Sequence, residues 1–271
     1  MTPIRCVYTD LDGTMLGQGA SLLRDAEGNF STLAVRALEA CHRAGIEVVI
    51  KSGRRRAQVQ EDARLIGQRS YIYEMGSGLV DGDEEVYLTG SFEPQGEPSV
   101  HDQIESSGAP RLLLERYPGR LEYHSPWHTG RRFSHLFRGN IPLAEVESLF
   151  AEGDLDLRLV DNGITRRRSP NLEVDEVHVY HLIPAAAGKA RAVATHMQRR
   201  GLRPEDTIAI GDSRGDLEVA DVAGQFFLVA NGLEHDPGIR DSFTGRANVT
   251  VTEEPMTGGF YEAIVRSLAE G

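Results

Sequence analysis

Several scarcities in this 271-residue chain exclude whole classes of protein before any motif is considered. Basic residues are outnumbered, with 29 lysines and arginines against 41 acidic residues and a net charge of −12. A nucleic-acid-binding surface needs basic stripes that pair with phosphates, so this balance argues against one. No apolar run approaches the roughly 20 residues of a membrane-spanning helix, and we see no signal-peptide pattern. We therefore expect a cytoplasmic protein with neither a nucleic-acid nor a membrane partner.

Cysteine and lysine each occur only twice. Cys6 lies in a predicted strand and Cys41 in a predicted helix. Two buried free thiols are therefore expected rather than a disulfide, which is typical of a cytoplasmic protein. Lys51 and Lys189 are the only lysines, and arginine supplies the other positive charges. Because a guanidinium cannot replace a compact ammonium everywhere, lysines that persist beside so many arginines merit attention.

The first 80 residues alternate between buried strands and helices. The apolar runs at 4–8, 46–50 and 71–73 predict strands. Helical patterns lie between them, from Ser31 or Thr32 to about residue 44 and again to about residue 66. Strand–helix–strand units of this length predict an α/β fold with a parallel sheet.

The pattern changes between about residues 90 and 183, where prolines punctuate shorter apolar runs. These shorter runs lie at 121–123, 132–137, 155–160 and 177–183, and a helix is predicted at 143–151. The first pattern then returns as a helix over 189–200, a strand over 207–210, a helix after Asp216 and a strand over 226–229. We therefore predict a core formed by residues 1–85 and 184–271, interrupted by an inserted α+β domain over 86–183.

Polar side chains follow the core strands at four places. Their residues are Asp10 and Asp12, Ser52-Gly53-Arg54, Lys189, and Gly211-Asp212-Ser213-Arg214-Gly215-Asp216. In a doubly wound sheet these strand ends converge on one crevice. Together they supply acidic metal ligands, a hydroxyl group, loop amides and an ammonium group, an inventory that suits phosphoryl transfer.

The chemistry explains why these residue types belong together. An ionised carboxylate is a competent nucleophile, but a phosphate dianion repels it. Mg²⁺ on oxygen ligands, a lysine and backbone amides offset that repulsion. A covalent aspartyl-phosphate divides a slow hydrolysis into two easier steps, and a second carboxylate transfers the protons. A calcium loop is a poorer interpretation, because no glutamate follows Asp10 and Asp12 at the required spacing.

In these motifs the chain resembles the haloacid dehalogenase-like hydrolase superfamily. Residues 10–14, Asp-Leu-Asp-Gly-Thr, match its first motif, and Ser52-Gly53-Arg54 resembles the second motif of the Cof-like branch. Gly188-Lys189-Ala190 and residues 211–216 resemble the third and fourth motifs, in the family's order. The resemblance implies a Rossmann-like doubly wound parallel sheet with an inserted α+β cap domain of type IIB. In one departure, Gly215 replaces the asparagine that is frequent in the fourth motif.

The resemblance also implies a role for each site residue. Asp10 would be the nucleophile and Asp12 the general acid/base. The phosphate-binding residues would be Thr14, Ser52, Gly53, Arg54, Lys189 and Asn231. Mg²⁺ would be held by Asp10, Asp12, Asp212 and Asp216, with Asp216 either supporting the metal site or orienting Lys189. Residues 74–78 and Asn231-Gly232 resemble further loops beside the site.

We therefore expect a Mg²⁺-dependent phosphatase that hydrolyses a small phosphorylated metabolite, a sugar phosphate, through an aspartyl-phosphate, as a monomer or homodimer. A sugar phosphomutase of the phosphomannomutase type would keep both aspartates and return the phosphoryl group to a sugar. A non-catalytic protein that binds phosphorylated ligands is a third alternative, disfavoured by the intact aspartates and lysine.

The inserted domain offers candidates for contact with the leaving group. They are Trp127, His128, Arg131, Arg132, Arg166, Arg167, Arg168, His178 and His181. Solvated faces are the favoured interpretation of the arginine runs. Because His178 and His181 are separated by an odd number of positions, a strand would point them to opposite faces, and at most one would face the substrate.

Overall fold

A computed structural model describes residues 3–165, 167 and 169–270 of the chain. Its strands are β1 (Cys6–Thr9), β2 (Glu47–Lys51), β3 (Ser70–Tyr73), β4 (Gly78–Asp81), β5 (Glu84–Tyr87), β6 (Leu121–Tyr123), β7 (His135–Gly139), β8 (Leu157–Ile164), β9 (His178–Pro184), β10 (Thr207–Gly211), β11 (Gln225–Leu228) and β12 (Val249–Val251). Its α-helices are α1 (Leu33–Arg43), α2 (Arg56–Leu65), α3 (Val100–Ser106), α4 (Ala109–Arg116), α5 (Leu143–Glu152), α6 (Lys189–Arg200), α7 (Arg214–Leu217), α8 (Ala230–His235) and α9 (Met256–Glu270).

Eight strands form the core sheet in the order β12-β11-β10-β1-β2-β3-β4-β5. The six strands from β12 to β3 are parallel, and β4 and β5 extend the sheet as an antiparallel edge. The predicted α/β class is confirmed. The antiparallel edge was not predicted, because a short strand after a tight turn gives little periodicity to detect.

Alternate residues of the central strands enter two separate apolar layers. Val7 of β1 packs on the side of α1, α2 and α9, whereas Cys6 and Tyr8 pack on the side of α6 and α7. Successive side chains of a strand point to opposite faces of the sheet, so helices on both faces bury the whole strand. This explains why these strands are continuous apolar runs, and it confirms the doubly wound arrangement.

A second sheet lies within the inserted stretch and forms what we call the cap. Its strands are antiparallel in the order β6-β7-β9-β8, and α3, α4 and α5 accompany them. The prediction of α5 is confirmed, but α3 and α4 were missed. The apolar run over 132–137 is only partly strand, since residues 132–134 form a loop and β7 begins at His135. The domain boundaries at residues 86 and 183 stay a prediction.

One core helix also begins earlier than predicted. The helix expected after Asp216 is α7, which starts at Arg214, because the Ser213 hydroxyl accepts a hydrogen bond from the Asp216 amide and caps the first turn. Cys6 and Cys41 are buried free thiols, as predicted. Of the helices that the structure describes, none combines the length and the apolar character required to cross a membrane.

Candidate active site

The four polar motifs meet at the carboxyl ends of three neighbouring strands. Asp10 follows β1, Ser52 follows β2 and Asp212 follows β10, while Lys189 opens α6. The Asp10 amide donates to the Ile210 carbonyl at 3.0 Å, which extends the pairing of β1 with β10 up to the site. Parallel pairing in register therefore assembles residues that are up to about 200 positions apart in the sequence.

Three aspartates form a compact acidic cluster. Asp10, Asp212 and Asp216 each place a carboxylate oxygen within 4.8 Å of the others. Burial and the Asp216 charge raise the pKa of Asp10 to about 6. Burial, with Asp10 as neighbour, also raises the pKa of Asp212 well above its usual value. Ionised carboxylates at such separations repel each other, so the cluster is poised to bind a cation.

Both lysines of the chain reach this cluster. Lys189 Nζ donates to Asp10 Oδ1 at 2.7 Å and to Asp216 Oδ1 at 2.8 Å. Lys51 Nζ donates to the same Asp216 oxygen at 2.5 Å and to the Ile210 carbonyl at 3.0 Å. Burial alone would lower the pKa of Lys189, but the Asp10 and Asp216 carboxylates hold it above its usual value. No role was predicted for Lys51 from the sequence. The scarcity of lysine in this chain was the only signal that pointed to it.

Asp216 is held by several donors at once. In addition to the two lysines, the Ser213 hydroxyl donates to its Oδ2 at 2.6 Å. Burial would raise the pKa of Asp216, but the two ammonium groups hold it below its usual value. Both Asp216 oxygens are engaged in this structure, one of them by Lys189, and the roles of Asp216 in orienting Lys189 or in supporting the metal site stay predictions.

Asp12 and Arg54 form a two-pronged ion pair at the mouth of the site. Arg54 Nε and Nη2 donate to the two Asp12 oxygens at 2.7 and 2.6 Å, and Nη1 donates to Asp62 at 2.8 Å. Such paired hydrogen bonds fix the direction of a carboxylate. Arg54 therefore holds the predicted acid/base in this structure, and its predicted contact with phosphate stays a prediction.

The remaining predicted phosphate-binding residues surround the Asp10 loop. Thr14 is buried, with its hydroxyl 3.4 Å from Asp212 Oδ1, and the Ser52 hydroxyl accepts from the Arg54 amide at 3.2 Å. The Asn231 amide donates to the Gly13 carbonyl at 2.9 Å and accepts from the Met256 amide, so it braces the loop. Gly13 has φ +80°, and a Cβ atom there would lie 2.3 Å from Asp212 Oδ2.

The loop after β3 ties the core to the cap. Glu74 and Met75 have φ values of 43° and 58°, an uncommon conformation for residues other than glycine. The buried Glu74 carboxylate accepts from the amides of Arg132 and Phe133 at 3.1 and 3.0 Å and from the Ser134 hydroxyl at 2.6 Å. The cap loop over 132–134 is therefore shaped by a carboxylate of the core.

We expect Glu74→Gln to lower the free energy of unfolding by about 1–3 kcal/mol, because the new amide group faces donors that the carboxylate satisfied. Urea unfolding, monitored through the fluorescence of Trp127, the single tryptophan, measures this loss of unfolding free energy in the cap. Glu27→Gln, at an exposed position, is the matched control. Equal unfolding free energies for the two variants would contradict a stabilising contact between core and cap through Glu74.

A cavity of about 490 Å³ lies between the strand ends and the cap. The core lines it with Asp10, Asp12, Ser52, Gly53 and Arg54, among others. The cap lines it with His124, Trp127, Arg131, Leu136, Asn162, Arg167, Val179 and His181. Of the cap candidates, Trp127, Arg131, Arg167 and His181 thus line the cavity, whereas His128, Arg132 and His178 do not, and Arg166 and Arg168 lie outside the described residues.

The two histidines of β9 face opposite sides, as the strand alternation predicted. His181 is buried against the cavity. His178 instead pairs with Asp161 at 2.7 Å and with Glu176 at 2.9 Å. The hydrogen bond to Asp161 raises the pKa of His178 to about 9, against the effect of burial.

This raised pKa makes stability depend on pH. The pairing of His178 stabilises the fold fully below its unfolded pKa near 6.5, and the stabilisation is lost as pH rises through about 9. We expect wild type to exceed His178→Gln in unfolding free energy by about 1–2 kcal/mol at pH 6, allowing for solvent screening. The difference should shrink by pH 9.5 in urea unfolding; a constant difference would rule out the titration of His178 as its cause.

Gly215, the departure in the fourth motif, has a packing explanation. A Cβ atom there would lie 3.2 Å from Met75 Cε and 3.4 Å from Val160 Cγ1. Met75 and Val160 belong to one small apolar cluster with Ile183 and Ala187. A larger side chain at position 215 would displace this contact between core and cap.

The chain is similar to known proteins both in sequence and in structure. No established protein-family profile matches the chain. The phosphoglycolate phosphatase of Methanospirillum hungatei is 28% identical over 242 residues, which cover 88% of this chain and 89% of the relative. That of Methanococcoides burtonii is 23% identical over 268 residues, which cover 99% of this chain and 98% of the relative.

Solved structures share the whole architecture. A Thermoplasma acidophilum protein aligns with a TM-score of 0.66 at 16% identity, over 98% of this chain and 99% of its own. The sucrose-phosphatase of Synechocystis, solved with sucrose and phosphate, aligns with a TM-score of 0.65 at 15% identity, over 98% of both chains. A sugar phosphatase described as subclass IIB of the superfamily aligns with a TM-score of 0.60 at 17% identity, over 97% of this chain and 98% of its own. The motifs resemble those of the haloacid dehalogenase-like hydrolase superfamily, the chain is similar in sequence to phosphoglycolate phosphatases over most of its length, and it shares the fold of a solved phosphatase of that superfamily.

Proposed function

We propose that this protein is a Mg²⁺-dependent phosphatase that hydrolyses a small phosphorylated metabolite through an aspartyl-phosphate on Asp10. The observation that carries the proposal is the cluster of the buried Asp10 and Asp216 with the partly buried Asp212, and with the ammonium groups of Lys51 and Lys189 among them. Such a concentration of buried charge costs stability and is typical of a catalytic site.

The acidic cluster fits a magnesium ion. Three carboxyl groups face two lysines, so acidic groups outnumber basic ones, and among the described residues the Asp212 carboxylate has only the long contact with the Thr14 hydroxyl. Asp10 and Asp212 would hold the ion, with Asp12 and Asp216 as the further predicted ligands. When bound, Mg²⁺ neutralises phosphoryl charge and so reduces its repulsion from the nucleophile.

Asp10 is set up to attack phosphorus. Lys189 engages its Oδ1, and within the described residues no hydrogen bond is made to Oδ2. In the first step a bond forms between an Asp10 oxygen and phosphorus, and the bond from phosphorus to the ester oxygen breaks. Asp12 gives that oxygen a proton. In the second step Asp12 takes a proton from a water molecule that attacks phosphorus and frees Asp10.

Arg54 constrains this proton transfer. Its guanidinium engages both oxygens of Asp12, whereas the first step needs one of them free to reach the ester oxygen. We therefore infer that the Arg54 pair loosens once substrate fills the cavity. Asp12 is half exposed, which leaves it room to move.

Two classes of small substrate enter the proposal. A sugar phosphate follows from the motif resemblance, and the sugar phosphatases of similar fold agree with it. A phosphorylated carboxylate follows from the activity in the names of the curated relatives. Cap residues line one side of the Asp10 cavity, so a folded phosphoprotein is a poor fit.

Release of inorganic phosphate from a panel of sugar phosphates and phosphorylated carboxylates tests the function. We expect release with Mg²⁺ and at least about a hundredfold less with EDTA, because the cluster then lacks its neutralising cation. Product analysis of the same reactions separates the alternatives. Isomerised sugar phosphate without free phosphate would show a mutase, and tight binding without turnover would show a binding protein.

A further inference from the structure

Among the residues that the structure describes, the cap wall of the Asp10 cavity carries no carboxylate, although the chain has a net charge of −12. Its polar groups are the guanidinium groups of Arg131 and Arg167, the imidazoles of His124 and His181, and the amide of Asn162. The acidic residues that line the cavity, Asp10 and Asp12, come from the core. The wall that faces the leaving group therefore offers mainly hydrogen-bond donors and positive charge.

The two imidazoles are buried without partners. His181 is 3% exposed and His124 8%, and the structure gives neither ring a hydrogen bond among the described residues. A Cβ atom on Gly53 would lie 2.9 Å from His181 Nε2, so this ring sits against the predicted phosphoryl-binding loop. Buried polar groups are nearly always satisfied in native proteins, so two open rings in one cavity point to a polar ligand.

Arg131 supplies charge beside these rings. It donates to the carbonyl oxygens of Gly53 at 3.0 Å and Trp127 at 3.1 Å and to the Ser134 hydroxyl at 3.2 Å. Among the described residues it forms no ion pair with a carboxylate, and Glu74 lies behind it on Ser134. Arg167 adds a second cation, stacked 4.0 Å over the Trp127 ring.

From this arrangement we propose that His181, His124 and Arg131 form a carboxylate-binding subsite for the leaving group. The preferred substrates are then phosphomonoesters that carry a carboxylate within a few atoms of the ester oxygen. The proposal rests on the proposed phosphatase function and narrows its substrate class. A carboxylate offers charge-assisted hydrogen bonds to all three groups, whereas an alcohol of the same size leaves the guanidinium without a counter-charge.

Matched esters test the subsite. One pair is 3-phosphoglycerate and glycerol 3-phosphate, and the other is phosphoglycolate and 2-hydroxyethyl phosphate; each pair differs in a carboxylate against a hydroxymethyl group. In wild type we expect kcat/KM to be at least about 30-fold higher for the carboxylate in at least one pair. A ratio below about 3 in both pairs would overturn the proposal.

Variants show whether these residues cause the preference. We expect His181→Gln and Arg131→Lys each to reduce the carboxylate-to-alcohol ratio of kcat/KM at least about fivefold. His178→Gln is the matched control, because His178 lies on the same strand but outside the cavity, and its ratio should equal that of wild type. An unchanged ratio in both cavity variants would also overturn the proposal.

A binding measurement separates failure of the subsite from failure of the phosphatase function. Trp127 is the single tryptophan and lines the cavity, so its fluorescence reports ligand binding. Titration of Asp10→Asn with the same esters should give a dissociation constant at least about tenfold lower for the carboxylate. If no ester is hydrolysed by wild type but this difference persists, the phosphatase function fails and the subsite stands. Equal dissociation constants would overturn the subsite whatever the activity.

Discussion

Asp10→Asn is expected to lower kcat for phosphate release by at least about four orders of magnitude while the protein stays folded. An amide of the same shape keeps the packing beneath the cap but is a very poor nucleophile. Lys189 keeps its second partner, Asp216, at 2.8 Å, so the electrostatic setting of the site is largely retained. The decrease in kcat therefore reflects the loss of the covalent step rather than a change in the structure of the site.

The same substitution should not destabilise the metal-free protein. The pKa of Asp10 is raised to about 6 by burial and by Asp216, so its ionised form is disfavoured in the folded state. For a carboxyl group shifted in this direction, stability rises as pH falls through 6 towards its unfolded value. A neutral asparagine removes that penalty at pH 7.5. Thermal unfolding in EDTA should give a melting temperature no lower than that of wild type.

The control for this experiment is Asp83→Asn, which removes a carboxylate that is 92% exposed and outside the Asp10 cavity. Its kcat should match that of wild type. The Asp10→Asn protein should be freshly purified, and a thermal unfolding transition should show that it is folded. If it then kept more than about 1% of wild-type kcat, a covalent role for Asp10 would be excluded.

Removing either lysine is expected to destabilise the protein by about 3–5 kcal/mol, since each substitution leaves a buried carboxylate with less compensation. Lys51→Met and Lys189→Met should both lose this stability, because both ammonium groups contact Asp216 Oδ1. Their effects on activity should differ. Lys189 also contacts Asp10, so Lys189→Met should lose at least about a thousandfold in kcat, and Lys51→Met clearly less.

A double-mutant cycle checks the origin of the lost stability. If Lys51 acts through Asp216, adding Asp216→Asn to Lys51→Met should recover part of the unfolding free energy, as measured by urea unfolding. Arg36→Met, on the exposed face of α1, is the control for loss of a positive charge and should lie within about 0.5 kcal/mol of wild type. Additive effects of the two substitutions would show that Lys51 and Asp216 do not interact.

The sequence alone determined the core of this protein. The continuous apolar runs of β1, β2 and β10 predicted strands buried on both faces, and the structure gives them helices on both sides. Each strand carries its polar motif directly after it, so parallel pairing was sufficient to bring Asp10, Ser52 and Asp212 together. These inferences succeeded because strand, turn and motif lie within a few residues of one another, where hydrophobic periodicity is informative.

Only the tertiary structure decided which partners the polar side chains take. Lys51 meets Asp216 across 165 positions, and Glu74 meets Phe133 across 59. Nothing in the local sequence distinguishes these residues from solvated ones, because the pairing depends on how the cap packs over the strand ends. The same holds for His181 and Arg131, whose orientation towards the cavity follows from the register of β9 and from a loop shaped by Glu74. Hydrophobic periodicity depends on residues that are close along the chain. The site between the two sheets depends instead on how the sheets pack, which periodicity does not predict.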